Sequence, residues 1–150
     1  MRQYLLLMSL FAFLFMACGG KKEKNKTSPI TRVAPKKIDP LKDKGVGPIK
    51  SLKLTAIDKK LAEKGKKEFE ANCTACHKVD KNYIGPALKG VTERRNPVWI
   101  MNMILNPEVM VKKNQLAKEL LVKFNGAPMA NQNLTEEQAR SILEYFRTLK

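Results

Sequence analysis

The chain has 150 residues, with 29 Lys or Arg against 14 Asp or Glu, which gives a formal net charge of +15. This length allows one domain of ordinary size. The first residues of the chain differ in composition, and they reduce the number of residues left to form a core. No nucleic-acid recognition motif accompanies the positive charge, so we expect no nucleic-acid partner.

Residues 1–17 are typical of a bacterial signal peptide. Arg2 precedes an almost unbroken apolar run from Tyr4 to Ala17, which is too short to span a bilayer comfortably. The run ends at Cys18 in a sequence that resembles a lipobox, in which the Cys is lipidated and becomes the mature N-terminus. The alternative is an ordinary cleaved signal, which would leave an unpaired thiol in an oxidising compartment. We therefore predict a signal peptide and lipidation of Cys18.

A basic tether is predicted after the lipidated Cys, at residues 18–50. Between residues 19 and 50 there are ten Lys or Arg, three Asp or Glu, and many Pro, Gly and small polar residues. Such a segment buries too little apolar surface to offset its ordering entropy, so we expect a flexible chain. It would attach a domain at residues 51–150 to a membrane of the cell envelope, facing the periplasm. Each basic residue near an anionic membrane surface would contribute about 1 kcal/mol to this association.

The motif Cys-Thr-Ala-Cys-His at residues 73–77 is typical of a covalent attachment site for c-type haem. The thiols of Cys73 and Cys76 can both reach the vinyl groups on one edge of a porphyrin, and His77 follows as the proximal iron ligand. A zinc site would need four ligands, whereas the chain has one His and only one other Cys, far upstream. A redox dithiol would follow a βαβ pattern, which is missing here. The motif therefore predicts one covalent haem c.

Helical patterns dominate the predicted domain. Thr55 and Asp58 have the spacing of a capping box, and Asn96-Pro97 is a typical helix start. Pro107-Glu108 is a weaker start, and Thr135 opens the last helix. The predicted helices lie at about 55–71, 98–105, 114–124 and 135–149.

The residues around the haem motif carry a family resemblance. Gly65 and Phe69 lie eight and four residues before Cys73, and Gly85-Pro86-Ala87-Leu88 follows the motif. On these residues, positions 55–150 resemble the monohaem class I cytochromes c in their lipoprotein-anchored bacterial form. The resemblance implies a small all-α cytochrome c fold, with about four to five helices wrapped round one covalent haem.

The same resemblance implies roles for single residues. Gly65 and Phe69 would form the crossing with the last helix, and Tyr145 would share it. The Pro86 carbonyl would accept a hydrogen bond from the His77 Nδ1–H, which fixes the tautomer and plane of the ring. A simple turn is the plainer interpretation of the Gly-Pro pair.

The predicted distal iron ligand is Met129. With one His in the chain, ligation by two His of this protein is excluded. The other Met candidates lie in or beside predicted helices, where Met usually fills gaps in a core: Met101, Met103 and Met110. Met129 instead follows Gly126-Ala127-Pro128, and the resemblance places a ligand Met in such a loop before a Leu-Thr helix start, here Leu134-Thr135. Met110 is the main alternative.

A haem with His and Met as axial ligands has no open position, so it exchanges electrons and does not bind a substrate. We therefore predict a membrane-tethered electron carrier that is not an enzyme. The resemblance implies a terminal oxidase or a nitrogen-oxide reductase as partner, with a quinol-oxidising complex as donor. The +7 charge of residues 51–150 would favour an acidic partner surface, with Lys78, Lys81 and Lys89 as docking candidates, although solubility alone also explains it.

Two other functions stay open. One is a five-coordinate haem sensor or peroxidase-like protein. A peroxidase needs a distal acid–base group, and the chain has no second His; Arg94 and Arg95 could be proposed for this role, but we expect both on a solvated face. The other is a fixed haem subunit of an oxidoreductase complex. Trp99 is expected in the core, with donation of its N–H to a haem propionate as the alternative.

Overall fold

The computed structural model describes residues 37–150, so the predicted signal peptide, Cys18 and the tether up to residue 36 lie outside the described residues. The described part contains six helices and no strand: α1 (Lys59–Asn72), α2 (Val91–Arg94), α3 (Pro97–Leu105), α4 (Pro107–Lys113), α5 (Gln115–Lys123) and α6 (Glu136–Phe146). The all-α prediction is confirmed, and the helix count is higher because α2 is a single turn and the weak start at Pro107 forms its own helix. Within residues 37–150, no helix has the length and apolar character needed to cross a membrane.

The first helix begins later than predicted, because Asp58 and not Thr55 is its N-cap. The Asp58 carboxylate accepts a hydrogen bond from the Leu61 N–H at 3.1 Å. The residues before it lie outside the helix, and contacts from α6 and its C-terminal end hold them in place. The Thr55 carbonyl accepts from Arg147 at 2.7 Å, and the Asp58 N–H donates to Glu144 at 2.9 Å. The capping-box prediction was wrong here because these two contacts come from residues distant in sequence.

The predicted crossing of α1 with the last helix is confirmed. A Cβ built on Gly65 would overlap the Ser141 carbonyl oxygen, so only Gly lets the two backbones approach this closely. One turn further along α1, the Phe69 ring lies 5.6 Å from the Tyr145 ring and 5.8 Å from the Phe146 ring, measured between centroids. The crossing therefore fixes the end of α1, where the haem motif begins.

The remaining helix starts follow local sequence signals. Asn96 caps α3 with Pro97 in its first turn, and Asn114 caps α5. At α6, Thr135 and Gln138 form the predicted capping box, with reciprocal bonds of 3.2 and 3.0 Å. These starts agree with the predictions, and α6 ends a few residues earlier than expected.

Residues 38–50, here called the N-terminal segment, pack against the helices although the sequence predicts a flexible chain. The buried Asn102 side chain of α3 accepts from the Ile49 N–H and donates to the carbonyls of Ile49 and Lys44, each at 3.0 Å. The compact unit therefore begins well before the predicted boundary at residue 51. The segment is ordered because a side-chain amide can form hydrogen bonds with its buried backbone groups, even though the segment has no hydrophobic periodicity.

Asn102→Ala should lower the free energy of unfolding by about 3 kcal/mol, because backbone groups of Ile49 and Lys44 lose their partners. Urea denaturation of the haem-loaded protein measures this. Gln115→Ala is the control, since Gln115 is exposed and its side chain donates a hydrogen bond to the exposed Glu119. Equal denaturation midpoints for the two variants would contradict the anchoring role of Asn102.

A second buried polar group ties the start of α1 to α6. The Glu144 carboxylate is fully buried and accepts from Arg140, from Arg147 at 2.7 Å and from the Asp58 N–H at 2.9 Å. Burial alone would raise the pKa of Glu144, but the bonds from Arg140, the Asp58 N–H and Arg147 outweigh it and hold the pKa below the usual value. Because the folded pKa is lowered, this stabilisation is complete above the unfolded pKa of about 4.3 and is lost as pH falls through the folded pKa.

Glu144→Gln should lower the free energy of unfolding at pH 7 by about 2 kcal/mol, because the charged hydrogen bonds are lost. The variant should also lose less stability than the wild type between pH 5 and pH 3, because the stabilisation by the wild-type carboxylate begins to be lost as pH falls below the unfolded pKa of about 4.3. Denaturation series at these pH values test both effects, with the exposed Glu137→Gln as control. Parallel pH curves for wild type and Glu144→Gln would refute the assignment.

Candidate haem site

One cavity of about 460 Å3 is lined by all five predicted cofactor residues, Cys73, Cys76, His77, Pro86 and Met129. Its wall is formed by the end of α1, the segment after the haem motif, α3, α5 and the loop before α6. This volume lies in the range of sites that hold organic cofactors. The fold thus brings together residues that are far apart in sequence.

The haem motif forms a tight turn at the end of α1. The Cys73 N–H donates to the Phe69 carbonyl at 2.9 Å, and the Cys73 carbonyl accepts from Cys76 at 3.1 Å and from His77 at 2.9 Å. Burial, the neighbouring Cys76 thiol and Glu68 raise the pKa of Cys73 to about 11. Redox dithiols work with lowered thiol pKa values, so this environment argues against that alternative. Within residues 37–150, no group of three or more His, Cys, Asp and Glu side chains is arranged to hold a metal ion.

His77 is oriented by the segment that follows the motif. Its Nδ1 lies 3.0 Å from the Pro86 carbonyl oxygen. With the proton on Nδ1, that N–H donates to the carbonyl and the Nε2 lone pair is left available. Gly85 packs against the ring, and a Cβ at this position would come 2.9 Å from Nδ1. The Gly-Pro pair is therefore more than a turn, because it lets the chain pass close to the imidazole.

The structure separates the Met candidates. Met129 is half-buried and lines the cavity. Met110 is fully buried outside the cavity lining, and its sulfur accepts a hydrogen bond from the Val46 N–H at 3.0 Å. Met103 of α3 does line the cavity. Met103 therefore replaces Met110 as the main alternative to Met129. The sequence does not show this, because it does not reveal which side of a helix faces the cavity.

The rest of the lining suits an apolar ring that carries negative charges. Apolar side chains from three walls dominate it, among them Leu88, Ile100, Ile104, Leu120 and Phe124. Three cationic side chains also contribute, Arg94, Arg95 and Lys123, and no Asp or Glu belongs to the lining within the described part of the chain. A haem has an apolar macrocycle and two propionates, so the donor set and the charge both fit it.

Sequence reasoning missed one feature of this lining. Arg94 and Arg95 were assigned to a solvated face, yet both reach the cavity. For Trp99 the expected core position is confirmed, because the side chain is buried and its indole N–H donates to the Asn114 Oδ1 at 3.0 Å. The face of a short helix on which a residue lies decides whether it reaches the cavity, as Arg94 and Arg95 do. Sequence composition alone does not reveal that face.

Comparison with known proteins agrees with the site. A family model described as Cytochrome c matches residues 62–150. The structure of cytochrome c from Rhodothermus marinus is 47% identical, with a TM-score of 0.67, over 69% of this chain and 89% of that chain. An engineered cytochrome c from the same organism, bound to a carbene intermediate, is 46% identical with a TM-score of 0.64 over 69% and 89%. Cytochrome c2 from Rhodopseudomonas palustris is 31% identical over 59% of this chain and 98% of the relative.

The all-helical fold, the cavity with its cysteines and His, and the match over more than half of the chain lead to one conclusion. This chain belongs to the cytochrome c family, as a class I-like monohaem cytochrome c that carries electrons through one covalently bound haem c.

Proposed function

We propose that Cys73 and Cys76 attach the haem through thioether bonds, that His77 is the proximal ligand and that Met129 is the distal ligand. The observation that carries this proposal is the single cavity in which these four side chains meet. When bound, the haem supplies a one-electron ferric–ferrous couple. Pro86 holds the proton on Nδ1 of His77 and thereby directs Nε2 to the iron.

The protein around the haem would set its reduction potential. A thioether ligand from Met129 raises the potential. The apolar walls exclude water, which disfavours the more highly charged ferric state. With both axial positions filled by the protein, no position remains for a substrate, so the chain acts as a carrier and not as an enzyme.

The proposed carrier is attached to a membrane of the cell envelope by a lipid on Cys18 and faces the periplasm. The basic tether then keeps the haem domain near membrane-bound redox partners, which we propose to be a quinol-oxidising donor and a terminal oxidase or nitrogen-oxide reductase. Lys78 donates to the carbonyl of Thr74 within the haem motif, and Lys81 and Lys89 are exposed just after it. Exposed Tyr83 and Ile84 between these lysines offer apolar contact area.

This surface suits a weak and transient encounter. Positive side chains around an apolar patch steer an acidic partner toward the haem motif and then let it leave. Attraction of this kind is screened by salt, because the Debye length is only about 8 Å at physiological ionic strength. A fixed subunit of an oxidoreductase complex would instead copurify with its partners after detergent extraction.

Met129→Ala should remove the weak near-infrared band of the ferric protein, which reports a bond between Met sulfur and iron. The same variant, once reduced, should bind carbon monoxide rapidly, because its distal position is open. Met103→Ala is the matched control, since Met103 lines the same cavity. It should keep the band and exclude carbon monoxide as the wild type does.

Two results would contradict this ligand assignment. Loss of the band in Met103→Ala and not in Met129→Ala would make Met103 the distal ligand. A wild type that lacks the band and binds carbon monoxide at once would have an open iron, as the five-coordinate sensor or peroxidase-like alternative requires.

Cys18→Ala should abolish incorporation of labelled palmitate when the full chain is expressed in a bacterium that processes lipoproteins. The wild type should be labelled, because its Cys18 thiol accepts the lipid. Thr27→Ala, which changes a residue of the tether, should be labelled like the wild type. An unlabelled wild type, or a labelled Cys18→Ala, would overturn the proposed anchor.

A further inference from the structure

The loop that carries Met129, residues 128–134 and here called the distal loop, is held mainly at its two ends. Within the described part of the chain, its hydrogen bonds only join loop residues to one another, at 3.5 and 2.9 Å. Met129 and Leu134 also pack against the core. Before the loop, α5 ends at its C-cap Phe124, and after it Thr135 is the N-cap of α6. The position of Met129 therefore depends on where these two helices end and begin.

One side chain joins the start of α6 to α1. The Gln138 Oε1 accepts from the Thr135 N–H at 3.0 Å, and the Gln138 Nε2 donates to the Glu68 carboxylate of α1 at 3.1 Å. The contact between Glu68 and Gln138 is here called the bridge. The Asn72 side chain donates to the same carboxylate at 3.3 Å and to the Glu68 carbonyl at 2.9 Å. Because Asn72 lines the cavity and directly precedes Cys73, hydrogen bonds run from the end of the distal loop to the haem motif.

The bridge is the first of the described ties between α6 and α1 after the distal loop. The contact of Gly65 with Ser141 and the bond between the Asp58 N–H and Glu144 both lie further along α6. Glu68 is half-buried, and it forms no ion pair within residues 37–150. A carboxylate in such a place is stabilised by its amide donors, and hydrogen bonds to a charged group are stronger than neutral ones.

We propose that Glu68 is a positioning residue for the distal iron ligand. Through Gln138 it holds the start of α6, and with it one end of the distal loop, so that Met129 stays on the iron. This inference rests on the proposed function, because it requires ligation by Met129. Glu68 does not belong to the cavity lining, so it acts through Gln138 and not on the haem itself.

The physical basis is the way in which Met129 can leave the iron. Its release requires the distal loop to move, and within residues 37–150 no hydrogen bond from the loop to another element opposes this movement. The bridge fixes one end of the loop to the helix that leads into the haem motif. Loss of the bridge should therefore lower the barrier to release of Met129.

Stopped-flow binding of imidazole to the ferric, haem-loaded protein tests the role of Glu68. At about pH 8 imidazole is mostly neutral, and at saturating concentration its binding rate is limited by release of Met129. Glu68→Ala should raise this limiting rate about tenfold, because a hydrogen bond to a charged group is lost. Glu70→Ala is the matched control, since Glu70 is an exposed acid of the same helix that pairs with Lys66, and it should change the rate less than about twofold.

An exchange of the two bridging side chains separates positioning from a general loss of stability. Gln138→Glu keeps an oxygen for the Thr135 N–H, and so the capping box, but it sets a second carboxylate against Glu68. The limiting rate should then rise about as much as in Glu68→Ala. When Gln138→Glu is combined with Glu68→Gln, amide and carboxylate change places and the bridge can form again. The rate of this double variant should return to within about twofold of the wild type.

Each outcome decides one part of the inference. If Glu68→Ala releases Met129 no faster than Glu70→Ala, Glu68 is not a positioning residue, and any loss of unfolding free energy in that variant is merely structural. If the double variant is as fast as Gln138→Glu alone, the bridge is not the cause of the effect. A failure of the proposed ligation would appear separately, because the wild type would lack the near-infrared band before imidazole is added.

Discussion

The close crossing of α1 and α6 is the contact on which the position of the haem motif depends. Gly65 lies against the Ser141 backbone, and Phe69 packs on the aromatic rings of α6. Cys73 follows Phe69 after one more turn of helix and caps the end of α1. The thiols and His77 are therefore placed relative to α3 and α5, which form the other walls of the cavity. A side chain larger than Gly at position 65 would move all of these groups together.

Features that depend on neighbouring residues could be predicted from the sequence. The haem motif, the Asn96-Pro97 start of α3 and the capping box of α6 are local patterns, and each is present in the structure. The contact between His77 and Pro86, which the family resemblance implies, is also present in the structure. These parts required no knowledge of the tertiary structure.

Features that depend on distant contacts could not be predicted. The N-terminal segment has a composition typical of flexible chains, yet the Asn102 side chain satisfies its backbone. A similar cause explains the Met residues: Met110 and Met103 look alike in a helical pattern, but only Met103 reaches the cavity. The sulfur of Met110 instead accepts from Val46 of the N-terminal segment. Side chains that meet the backbone of another element leave no periodic signal.

The N-terminal segment lies close to the haem cavity and therefore bears on function. From the sequence it is predicted only as the last part of a flexible tether between the proposed lipid anchor and the haem domain. In the fold it packs beside Trp99 and Asn102 and contacts residues next to the cavity wall. The part of the chain that leads toward the proposed anchor is therefore also part of the environment of the haem.

We propose that the iron is bound by His77 and Met129 and has no open position. Proton NMR of the ferrous protein with labelled methionine methyl groups tests it most directly, because the haem ring current shifts the methyl of an axial Met far upfield. We predict one such methyl resonance, which belongs to Met129. A spectrum with no upfield methyl, or with one that belongs to Met103, would contradict the account.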